Sequence, residues 1–88
     1  MTDCNGITLR KNDWIRYSSI LGNETGKIFI AKIDMIDEKQ RRIYATLIKG
    51  YDHYATGKPV IFDNKAIELG KPEKMNKTQM MLYILEYN

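Results

Sequence analysis

Residues Lys27 to Lys49 read KIFIAKIDMIDEKQRRIYATLIK, two alternating runs divided by a charged turn. Phe29, Ala31, Ile33 and Met35 alternate with Ile28, Ile30, Lys32 and Asp34. That is the period-2 pattern of a strand with one buried face. Beyond Asp37-Glu38-Lys39-Gln40, Ile43, Ala45 and Leu47 alternate with Arg42, Tyr44, Thr46 and Ile48 in the same way. A β-hairpin is the economical reading. Residues directly opposed in an antiparallel pair point to the same side, so the two odd-numbered sets must face each other. Pairing Met35 with Ile43 and Ile33 with Ala45 does this and leaves a loop of three or five residues. A four-residue loop would set Ile33 opposite Tyr44 and split the core between two faces. Away from the turn, Ile28, Ile30, Tyr44 and Ile48 make the second face apolar as well. A strand curling through a small closed barrel behaves this way.

The flanking segments extend the β reading. Asn5-Gly6 is a turn dipeptide, and Ile7 and Leu9 after it suit a short strand or edge extension. Arg10 to Asp13 forms a polar turn, and Trp14 to Leu21 a strand with Ile15 and Tyr17 on one side. Gly22 to Gly26 connects it to the hairpin. No helix or Gly-Lys-Ser/Thr follows that loop, so it lacks the makings of a phosphate cradle. Val60 to Phe62 and Ala66 to Leu69 flank Asp63-Asn64, which predicts a second, tighter hairpin stopped by Gly70-Lys71-Pro72. In the tail, Asn76 and Gln79 have the spacing of a capping box. Met80, Tyr83, Ile84 and Tyr87 then fall at helical spacing, with Met81 and Leu85 widening the stripe. A helix over about 77–87 is favoured over a continuous apolar strand. Too short to stand alone, it is expected to close one end of the barrel. If incompletely covered, Met80, Met81 and Tyr83 would form an adaptable docking surface.

With 88 residues the chain holds one domain, 1–88, with a barrel over about 7–70. A formal net charge of +3 without long runs of one sign is compatible with nucleic acid, but most domains with this balance simply have a solvated, slightly cationic surface. The single cysteine, Cys4, excludes an internal disulfide and a Cys-rich metal site. No apolar leader follows Met1 and no run reaches the length of a membrane span, which predicts a cytoplasmic protein without membrane partners.

Asn12-Asp13-Trp14-Ile15-Arg16, the glycine-bounded loop and Gly26-Lys27-Ile28-Phe29-Ile30 resemble the opening of SH3-like barrels, in a KOW- or Tudor-type layout. A short barrel ending in Lys77-Thr78-Gln79-Met80-Met81-Leu82 also resembles small accessory proteins of bacterial phages and mobile elements. The resemblance covers about residues 10–85. It implies a mainly β chain, a small SH3-like five-stranded bent barrel with a short C-terminal α-helix. It also implies a binding module that uses exposed loops and an edge strand.

Candidate binding residues concentrate in Gly50 to Pro59, which holds Tyr51, Tyr54, Lys58 and the only histidine, His53. The tyrosines could stack on bases or on a partner's aromatic groups; alternatively they plug one end of the barrel. Arg16, Arg42 and Tyr44 lie on the outward side of the predicted sheet. His53 beside Asp52 resembles half an acid–base pair, but neighbours in extended backbone point apart. Without a nucleophile placed by sequence logic, and with one His and one Cys, no catalytic residue, metal site or cofactor is expected. The expected function is a non-catalytic module acting through protein–protein contacts, such as a phage-type inhibitor or adaptor of a host protein. Two alternatives stand beside it: a nucleic-acid-binding barrel using the arginines and tyrosines, and a homo-oligomeric structural component.

Overall fold

The computed structural model describes residues 1–18, 28–49 and 57–87, with the side chains of Lys49 and Tyr87 set aside. In order come β1 (Trp14–Ser18), β2 (Ile28–Asp37), β3 (Arg42–Lys49), β4 (Pro59–Phe62), α1 (Asn64–Gly70), β5 (Glu73–Lys74) and α2 (Lys77–Tyr87). The strands form one antiparallel sheet in the order β4-β3-β2-β1-β5. β4 and β5, which would have to pair to close a barrel, are instead its two edges. The expected closed barrel is therefore corrected to an open, bent sheet. The mainly β class and the C-terminal helix stand.

The central hairpin forms, with a different register at its tip. Ile33 faces Ala45 as expected, but Ile36, not Met35, faces Ile43, and Met35 faces Tyr44. A bulge between Ile33 and Met35 absorbs the discrepancy. One extra residue on β2 switches the side of everything beyond it. Met35 is turned out and Ile36 is turned in against the core. The loop between paired Asp37 and Arg42 has four residues, 38–41, contrary to the three or five expected. Arg41 closes it in left-handed backbone (φ 53°), and its Nε donates to Asn64 Oδ1 at 2.9 Å. The hairpin tip is thereby tied to α1.

On the inner face, Ile15, Ile33 and Ile43 are fully buried, with Ala31 and Ala45 opposite the first two. Small residues facing large ones let the layer fill without strain. Leu9, Phe62 and Ile67 complete this core. Tyr17 stacks on its cross-strand partner Phe29 (5.8 Å between centroids) and meets Phe62 edge-on (4.5 Å). Desolvation pushes the Tyr17 hydroxyl up to about 12. An unfolded tyrosine ionises near 10, so this contribution to stability is complete below pH ~10 and is lost as pH rises towards 12.

Residues 64–70 form α1, not the expected strand of a second hairpin. Asp63, read as a turn residue, is its N-cap and accepts from Ala66 N at 2.8 Å. Lys71 ends it in left-handed backbone, donating its N–H to Ile67 O. A strand over Ala66–Leu69 would have turned Ala66 and Glu68 to one side and Ile67 and Leu69 to the other. The helix instead sends Ile67 into the core and leaves Glu68 and Leu69 exposed.

Two further expectations change. Ile7 and Leu9 build no continuous strand: the N-terminal segment has an isolated Thr2–Thr8 bridge, with Leu9 buried and Ile7 exposed. β5, which the tail did not suggest, pairs Lys74 with Ile15 and Glu73 with Arg16. Its other edge is held by Asp3, a buried carboxylate. Oδ1 of Asp3 accepts from Asn5 N (2.9 Å) and Ile7 N (2.8 Å), while Oδ2 accepts from Lys74 N (2.9 Å). Burial alone would raise its pKa. The three N–H donors and the Lys74 charge outweigh that and hold it below the usual 3.8.

Candidate binding face

The outer side of the sheet carries Arg16, Arg42 and Tyr44. Arg16 on β1 lies opposite Ile30, and Arg42 at the start of β3 lies opposite Asp37. Ile30 and Asp37 are seven residues apart on β2, so the two arginines sit about 20 Å apart along the strand direction. Arg16 points a guanidinium nitrogen at Glu73 Oε2, 3.4 Å away and exposed, a contact worth at most about 1 kcal/mol. Lys58 is exposed, and its backbone carbonyl accepts from Leu47 N at 2.9 Å. Tyr51, His53 and Tyr54 fall outside the described residues, as does the Gly22–Gly26 loop. The arginines are thus not gathered into one cationic site.

Tyr44 belongs to a different arrangement. It stands between Met35 on β2 and Ile61 on β4, a row of three cross-strand neighbours pointing outward. Met35 is 51% exposed and Ile61 63%. The row owes its existence to the bulge, because without it Met35 would point inward. Neighbouring polar groups are settled among themselves: Thr46 Oγ1 donates to Asp34 Oδ2 at 2.7 Å.

α2 covers another part of the same face. Asn76 and Gln79 form the expected capping box, each backbone N–H donating to the other's side chain at 2.8 Å. Trp14, which alternates with the buried Ile15 and therefore lies on the outer side, meets Tyr83 edge-on at 5.6 Å. Met80 is also half-buried. Ile84, expected on the buried stripe, is turned out, and none of the described α2 side chains belongs to the core. Met81, Leu82, Ile84 and Leu85 are 42–75% exposed. Their spacings of three and four join them into one continuous apolar stripe along the helix. Of the three residues expected to form a docking surface, only Met81 belongs to it.

An open cleft of about 310 Å³ near the far end of β1 is lined by Arg16, Tyr17, Ser18, Ile28, Lys71 and Glu73. It mixes two cations with a carboxylate and abuts the carbonyl end of α1, a poor setting for a phosphate. Among the described residues no cluster of three or more His, Cys, Asp or Glu could hold a metal ion, and no helix is long and apolar enough to cross a membrane. Comparison with protein-family models, curated proteins and solved structures finds no match for this chain.

Proposed function

We propose that this protein is a non-catalytic binding module that works through protein–protein contacts, as a small inhibitor or adaptor does. The observation that carries this reading is the outward side of α2, where Met81, Leu82, Ile84 and Leu85 present an uncharged stripe to solvent. Contiguous apolar surface of this kind marks an interaction site more often than scattered single residues do. An amphipathic helix laid against a partner's apolar surface is a common recognition mode. The separation of Arg16 from Arg42, each with a carboxylate near or opposite, weighs for protein contact over nucleic acid. The meander from β1 to β4, with β5 returned beside β1, supports kinship with SH3-like binding modules.

The test compares wild type with Leu85→Lys as bait, at low and high ionic strength. A contact through the stripe survives high salt and is lost in Leu85→Lys, whereas Lys39→Glu in the hairpin turn leaves it intact. Binding that vanishes with salt and is indifferent to Leu85 would refute the reading.

A further inference from the structure

Resting on that reading, we infer that the contact is with a second copy of this chain, through a two-fold interface on the outer face of the sheet. Two apolar areas lie on this face: the α2 stripe centred on Met81 and Leu85, and the row Met35–Tyr44–Ile61 across β2, β3 and β4. They belong to one side of the sheet, because Trp14 and Tyr44 both alternate with core residues and Trp14 carries α2 through Tyr83. An isologous pairing can set the helix of each copy on the open row of the other.

Area argues for a second copy. Together these side chains expose on the order of 500 Å² of apolar surface per copy. A standard interface takes roughly 800 Å² from each partner, about 57% of it apolar. The two areas in combination reach that share, with the helix stripe supplying the larger part. Charge argues the same way, since a rim of one sign would repel its own copy. This rim carries both: Lys77 and Glu86 near the ends of α2, and Arg42 opposite Asp37 beside the row. Pro59 supplies no N–H to the β4 edge, which disfavours strand addition there.

The experiment is sedimentation equilibrium of the full chain over a range of concentrations, at low and high salt. Wild type is expected at twice the 10.3 kDa chain mass, undiminished by salt. Leu85→Lys and Ile61→Lys, on the two different areas, should each weaken association at least about tenfold with unchanged far-ultraviolet circular dichroism. Lys39→Glu should leave it unaltered. A wild-type mass of 10.3 kDa throughout overturns the self-pairing. Dimers that persist in both lysine variants place the interface elsewhere and overturn it equally. Self-pairing can fail while a Leu85-dependent contact with another protein survives, so this failure is distinct from that of the binding reading itself.

Discussion

The two helices divide the work of the tail in a way their lengths would not suggest. α1 has seven residues and α2 has eleven, with the more apolar sequence. Yet α1 is the structural one: Ile67 enters the core, Gly70 is buried, and Asp63 and Lys71 cap its two ends. α2 rests on Trp14 through Tyr83, gives none of its described side chains to the core and keeps its most apolar stripe in solvent. Apolar content therefore does not rank helices by structural importance. What decides is whether the chain delivers the apolar side to a surface that still needs covering. α1 follows β4 directly and its Ile67 joins the inner core, whereas α2 arrives at the outer face and meets Trp14 there.

The largest expected effect separates the helices by core burial. Ile67→Ala should destabilise the chain by about 2–4 kcal/mol, read from denaturant midpoints. A loss below about 1 kcal/mol would mean α1 is no more integral than α2. Asp3→Asn tests the clamp that leads from α1's end into α2 by way of β5. The amide puts a donor against one of three backbone N–H groups, with an expected cost of about 1–3 kcal/mol. The sign of its pH dependence is fixed as well. The folded carboxyl lies below 3.8, so its contribution is present above that pH and is lost as pH falls through the folded value. Asp3→Asn should flatten this part of the acid limb, and an unchanged limb would deny the clamp.

The caps give a sharper contrast at smaller size. Asp63→Ala and Asn76→Ala each remove an N-cap worth about 1 kcal/mol. The first should lower global stability, while the second should speed hydrogen exchange within α2 and leave the global midpoint nearly unchanged. Equal global effects would erase the distinction between the helices. Smallest is Gly70→Ala. Alanine favours a helix by about 1 kcal/mol, but its Cβ would lie 3.2 Å from the Ser18 carbonyl oxygen on β1. A net loss below about 1 kcal/mol is expected, and a gain would show that α1 can move away from the sheet.

Local rules carried much of this architecture. The alternation in Lys27–Lys49 identified the hairpin and the Ile33–Ala45 pairing, and Asn76 with Gln79 marked the start of α2. Two failures share a cause. Asp63-Asn64 is as good a turn as it is a helix start, and the strand Val60-Ile61-Phe62 before it is compatible with either. Met35 and Ile36 are both apolar, so either could be the inward one, and only the bulge chooses. At the candidate face, strand alternation alone puts Arg16, Arg42 and Tyr44 on the side opposite Ile15, Ile43 and Ala45. That Tyr44 joins Met35 and Ile61, and not the arginines, depends on a register and a third strand that alternation within one hairpin does not contain. Asp3 had only the Asx-turn pattern before Asn5-Gly6 as a signal, and nothing nearby announces Lys74 as its partner.

By itself the sequence determined a strand-rich chain with a central hairpin and a capped terminal helix, because periodicity and capping act over a few residues of chain. Tertiary structure decided that the sheet stays open, that α1 and not a strand comes after β4, and which apolar residues are left facing water. Those outcomes turn on which surfaces compete for burial, and that competition involves residues far apart in the chain.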